Sequence, residues 1–126
     1  MLTPEHMQQI VDRYLAAINA GDMPAVMALY AEDALVEDPV GTEPKRGDAI
    51  LQFYTNAFSG GAKAELTGPV RISAKAAAFP FRAEINGAAS QVTIVDVIDI
   101  FEFNPDGKIA RMTAHFGPAN ITVRNA

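Results

Sequence analysis

The sequence predicts an α+β domain in which three helices cover one face of a curved antiparallel sheet. Three observations lead there. Apolar residues in three stretches of the first 58 positions recur at helical spacing, whereas those after position 69 alternate as in strands. Asn86-Gly87 and "NPDG" at 104–107 are hairpin signals between the later strands. Helices concentrated in the first half of the chain, followed by a run of strands, place the helices on one side of a sheet.

The first helix starts at Thr3, a hydroxyl residue suited to capping, with Pro4 and Glu5 in its first turn. Met7, Ile10, Val11, Tyr14, Leu15 and Ile18 form its apolar stripe, and Gly21 ends it. Asp22 offers the next cap, for a shorter helix with an apolar face of Val26, Met27, Leu29 and Tyr30. A strand through Val36 follows, because the residue before Pro39 is pushed toward extended geometry; Asp38 then stands at a strand end. Asp48 caps the third helix, which carries Ile50, Leu51, Phe53, Tyr54, Ala57 and Phe58 and closes at "SGGA". The remainder reads as sheet: "VRISAK", "AAFPFRAEI", the long "QVTIVDVIDIFEF" and "KIARMTAHF". No internal repeat, low-complexity tract or linker interrupts the chain, so residues 1–126 are one domain.

A chain of 126 residues buries roughly two thirds of the surface its unfolded form exposes, enough for an interior pocket. The net charge is −5 and the ten Lys and Arg are scattered singly, which argues against nucleic acid or an anionic membrane as partner. "MLTPEHMQQ" lacks the basic and apolar regions of a signal peptide, and a soluble, cytoplasmic protein is expected. With no Cys there is neither disulfide nor thiolate chemistry, and no metal motif joins His6 and His115. No Ser has a nucleophile-elbow context, and no glycine-rich phosphate loop is present.

The acids are more informative. In "ALVEDPVGTEP", residues 34–44, Asp38 precedes Pro39 and Gly41, where a carboxylate often only caps a bend. In the long strand, Asp99 is the single charge among Thr93, Val95, Val97, Phe101 and Phe103 on the more apolar face. Desolvation there would favour its protonated form, unless a bulge turns it outward to water. Asp96 falls on the opposite face, as do Arg111, Thr113 and His115 relative to Met112, Ala114 and Phe116 in the last predicted strand. The three tyrosines, Tyr14, Tyr30 and Tyr54, are assigned one to each helix, all on apolar faces. Buried phenols need hydrogen-bond partners, so they either satisfy one another, reach backbone or water as ordinary core residues, or present a donor to a ligand.

Taken together, "TPEHM", Tyr14 in its helix, "VEDPVG" with Asp38, "FY" at 53–54, "VIDIFEF" with Asp99 and "ITVR" near the end resemble the steroid delta-isomerases, or ketosteroid isomerases, over nearly the whole chain. The resemblance implies a cone of three helices on a strongly curved antiparallel or mixed sheet, within the nuclear transport factor two-like superfamily, enclosing an apolar cavity and forming a homodimer. It also implies a small-molecule steroid substrate, with no cofactor and no metal. By position, Asp38 matches the family's base and Tyr14 and Asp99 its two oxyanion donors, Asp99 being a carboxylic acid kept neutral. Tyr30 and Tyr54 match a supporting hydrogen-bond network. Val40, Phe53, Phe81, Met112 and Phe116 fall where the family lines its steroid pocket. Related chemistries on this fold include polyketide cyclases and epoxide hydrolases, and a non-catalytic carrier of apolar molecules would keep the cavity without needing Asp38.

Overall fold

The computed structural model describes residues 2–125. Helix α1 spans Pro4–Ala20, with the Thr3 hydroxyl oxygen accepting the His6 N–H at 3.1 Å and Gly21 in the left-handed region (φ 69°) at its end. Helix α2, Met23–Met27, is only five residues long, its start capped by the Asp22 carboxylate on the Ala25 N–H at 3.1 Å. Leu29 and Tyr30 are therefore not helical, contrary to the sequence-based expectation. The Leu29 carbonyl accepts the Ile109 N–H at 2.9 Å, and Tyr30 opens strand β1, Tyr30–Glu37. Pairing with a strand far along the chain overrides the local helical pattern.

Helix α3 spans Asp48–Ala57. Asp48 is its first residue rather than its cap; Gly47, at φ 55°, occupies that place without a side-chain bond. The remaining strands are β2 (Ala62–Leu66), β3 (Arg71–Ile72), β4 (Ala76–Asn86), β5 (Gln91–Phe103), β6 (Ile109–His115) and β7 (Ile121–Asn125). Of "VRISAK" only Arg71 and Ile72 are strand.

Six of the strands pair antiparallel to their neighbours, but β1 runs parallel to β6, so the seven-stranded sheet is mixed. The main order is β1-β6-β5-β4-β2. Strands β4 and β5 pair along almost their full length, from Ala76 opposite Glu102 to Asn86 opposite Val92. Their outer neighbours split: β6 takes the C-terminal half of β5 and β7 its N-terminal half, while β2 and β3 share β4. No single flat strand order accommodates this; the sheet bends around the helical side. Helix α1 packs across β2, β3 and β4, and α2 bridges α1 to α3. Met7, Val11, Val26, Val36, Phe79, Phe101, Ile109 and Met112 fill the interior between helices and sheet. Among the described residues, no helix is long and apolar enough to cross a membrane.

Candidate active site

A cavity of about 260 Å³ opens into this core, close to the lower end of the roughly 300–1,000 Å³ usual for small-ligand sites. Its wall is apolar apart from Tyr14, Tyr54, Asp38 and Asp99.

Tyr14 reaches it from the middle of α1, where the helical stripe buries it to 2% exposure. Its ring is held edge-on by Phe101 and Phe79, at centroid distances of 5.0 and 6.1 Å. The Tyr14 and Tyr54 hydroxyls lie 2.9 Å apart, and the Tyr54 and Tyr30 hydroxyls 2.5 Å apart, so the three phenols form one buried chain. Each hydroxyl has a single proton. A Tyr14 proton directed into the cavity requires Tyr54 to donate to Tyr14 and Tyr30 to donate to Tyr54. Burial is the main cause that pushes all three phenols well above their ordinary pKa, so each keeps its proton.

Asp99 comes from β5, opposite Phe79 of β4 and Ala114 of β6, and is 2% exposed, the one buried residue of a charged type among the described residues. The strand is regular through this point: Val95, Val97, Asp99, Phe101 and Phe103 are all buried, and no bulge turns Asp99 to water. Desolvation raises its pKa well above the carboxylate range, the nearby Asp38 charge raises it further, and hydrogen bonding from Tyr14 opposes the shift. Burial therefore favours the protonated form of Asp99.

Asp38 follows the last residue of β1, ahead of a cis bond to Pro39. The segment is fastened on both sides. Glu37 points away from the cavity, where its carboxylate accepts the Gly41 N–H at 2.9 Å and the Arg111 guanidinium at 3.2 Å, while the Val40 N–H donates to the Ala114 carbonyl at 2.9 Å. Asp38 is left facing the cavity. Burial lifts its pKa to about 6, against the opposing influence of Lys45, so it is predominantly ionised at pH 7. Asp38, Tyr14 and Asp99 thus face one largely apolar space.

The cavity gathers Phe53, Phe81 and Phe116 as well. It does not gather Val40 or Met112. Val40, 45% exposed, lies beyond the bend at Pro39, and Met112 is fully buried where β6 pairs with Val36 and Phe101, inside the core. The wall is completed by Pro39, Ala57, Phe58, Ala83, Ile85, Val95 and Val97, which sequence reasoning did not assign to a pocket. Period-two spacing from Phe81 marks Ala83 and Ile85, and from Asp99 marks Val97 and Val95, so that signal was present. Tyr30 joins the hydroxyl chain without lining the cavity. Asp96 is exposed and paired with Arg82 at 2.8 Å. His115 is exposed, and His6 uses its ring to hold the Gly107 carbonyl at 2.8 Å.

The SnoaL-like domain matches residues 11–112 of this chain. Over 116 residues, 92% of this chain and 94% of the relative, it is 39% identical to a steroid delta-isomerase of Nocardioides simplex. The chain belongs to the steroid delta-isomerase family. Within the wider SnoaL-like fold this family has neighbours of other names. A stretch of 44 residues, 35% of this chain and 16% of the relative, is 43% identical to the epoxide hydrolase LasB of Streptomyces lasalocidi. The solved structure of SalBIII, an epoxide hydrolase/cyclase-like enzyme of pyran ring formation in the polyether salinomycin, superposes with a TM-score of 0.90 at 25% identity, covering 98% of this chain and all of that one.

Proposed function

We propose that the protein converts delta-5 3-ketosteroids to conjugated delta-4 3-ketosteroids. The observation that carries this reading is the meeting of Asp38, Tyr14 and Asp99 in one apolar cavity, where burial favours Tyr14 and Asp99 as proton donors. Asp38 removes a proton from carbon 4, and the electron pair moves into the carbonyl to form a dienolate. The same carboxyl returns its proton to carbon 6, so the C5–C6 double bond becomes C4–C5 and the ketone is restored. One base serves both steps, and the reaction needs no redox partner.

Negative charge builds on the steroid oxygen between the steps. Tyr14 and Asp99 donate to it, and donors held in place before the reaction begins stabilise such charge most effectively where water is excluded. One donor of this kind contributes about 3 to 4 kcal/mol, and positioned proton transfer about 100 to 10,000-fold in rate. An ionised Asp99 would instead repel the oxyanion, so its burial is functional rather than merely tolerated. The Tyr30–Tyr54–Tyr14 chain keeps the last hydroxyl supplied with a donor from behind.

The test is direct: mix the protein with 5-androstene-3,17-dione and follow the ultraviolet absorbance of the conjugated enone. Turnover no faster than buffer would overturn the assignment. The likeness to SalBIII and LasB favours one second reading, in which neutral Asp99 protonates an epoxide oxygen while Asp38 takes the proton of the attacking hydroxyl. The near-full-length match at 39% identity favours the isomerase.

A further inference from the structure

Between β1 and α3 the chain carries a lysine held in an uncommon way. The Val36 N–H donates to the Lys45 carbonyl at 3.0 Å and the Lys45 N–H to the Val36 carbonyl at 2.8 Å, an isolated antiparallel bridge. Residues opposite one another in such a bridge point to the same face, and so do residues two apart along a strand. Lys45 therefore leaves the backbone on the side of Val36, which is fully buried, and of Asp38, which lines the cavity. Its ammonium lies 4.7 Å from the centre of the Phe53 ring, within the reach of a cation–π contact.

Phe53 has two surroundings. It forms part of the cavity wall, and it also borders a shallow groove with Lys45, Gln52 and Asn56. The ammonium is thus fixed just outside the wall that contains Asp38. Among the described residues it forms no ion pair with a carboxylate, so its field is not cancelled locally. Around Asp38, α1 contributes Tyr14, α3 Tyr54 and β5 Asp99, each favoured in its protonated form by burial; Glu37 of β1 faces away toward Arg111. Lys45 sets a cation against the outer side of that wall, over Phe53.

We infer that Lys45 is a positioning residue for the base: without touching substrate, its charge holds Asp38 as a carboxylate at the pH where the enzyme works. This inference rests on the reading of Asp38 as that base. Burial alone favours protonated Asp38, and a protonated carboxyl cannot accept the carbon 4 proton. The influence on Asp38 that opposes burial comes from Lys45.

The experiment measures the Asp38 midpoint in two ways: by carboxyl carbon NMR titration of the substrate-free protein, and by the pH dependence of kcat/KM with 5-androstene-3,17-dione. Lys45→Met keeps the apolar stem across Phe53 and removes the charge; Lys45→Gln serves if the Met variant loses its circular dichroism. Either should move the midpoint to higher pH, lower kcat/KM several-fold at pH 6 and recover nearly all of it at pH 8.5, while Lys45→Arg restores the original profile. Arg46→Met, which removes the adjacent exposed cation, should leave the midpoint in place. An unmoved Asp38 midpoint in a folded Lys45 variant overturns the inference, as does an equal shift from Arg46→Met or a loss of rate equal at both pH values. Should no steroid turn over, the isomerase reading falls, and the carboxyl titration still decides whether Lys45 governs Asp38.

Discussion

The hydroxyl of Tyr54 stands 2.9 Å from that of Tyr14 and 2.5 Å from that of Tyr30, so the Tyr14 hydroxyl is backed by two more buried phenols. Tyr14→Phe deletes the donor itself and should cost about 3 to 4 kcal/mol of transition-state stabilisation, read from kcat/KM. Tyr54→Phe deletes only the support and should cost about 1 kcal/mol in rate, together with about 1 to 3 kcal/mol of folding stability because buried hydroxyls lose their partner. Equal kinetic losses in the two variants would place the donor at Tyr54 instead.

The raised pKa of Asp38 predicts an acid limb in the rate. Activity requires the carboxylate, so kcat/KM should rise with an apparent pKa of about 6 and then level off as pH increases. A limb near 4, the ordinary carboxylate range, would mean that Asp38 is not desolvated in the free enzyme.

The same shift acts on stability with a definite sign. The folded-state pKa of about 6 exceeds the ordinary 3.8, so the protonated form stabilises the fold below about pH 4, and that contribution is lost as pH rises through 6. A shift of about two units corresponds to an upper bound of about 3 kcal/mol. Asp38→Asn should therefore be more stable than the native chain at pH 8 by up to that amount and similar to it at pH 4, by urea denaturation. Its turnover should fall by about 100 to 10,000-fold. Loss of phenolic-steroid binding together with turnover would show that Asp38 holds the ligand rather than its proton.

Asp99 is tested by the difference between two replacements. Asn still donates a hydrogen bond, and Leu does not. Asp99→Asn should lose little isomerase activity, whereas Asp99→Leu should lose about 3 to 4 kcal/mol, provided circular dichroism shows both folded. The pair also separates the two chemistries, since Asn cannot hand a proton to an epoxide oxygen. An epoxide-opening activity abolished in Asp99→Asn, beside negligible enone formation by the native chain, would favour the cyclase reading.

If Tyr14 and Asp99 donate to the dienolate oxygen as proposed, a steroid with a phenolic A ring, which resembles the dienol, should bind more tightly than the saturated ketone. Fluorescence titration giving equal affinities would count against an oxyanion site.

Local chemistry determined much of this protein in advance. The Thr3 cap, the Gly21 stop and the stripe through Tyr14 define α1 from neighbours within a few residues, and alternation from Val95 to Phe103 places Asp99 on the apolar face of β5. Tertiary structure alone decided what depended on distant partners. The parallel pairing of Tyr30 with Ile109 turned an apolar helical pattern into the start of a strand. The bend at Pro39 carried Val40 to the surface, pairing with Val36 and Phe101 drew Met112 into the core, and the fold brought Lys45 over Phe53 of the cavity wall. Periodicity states which face a side chain takes, because that is set by the backbone repeat. Which residues share a cavity, and how far each carboxyl is stripped of water, follow from contacts between segments far apart in the chain, and these exist only once the sheet has closed around the helices.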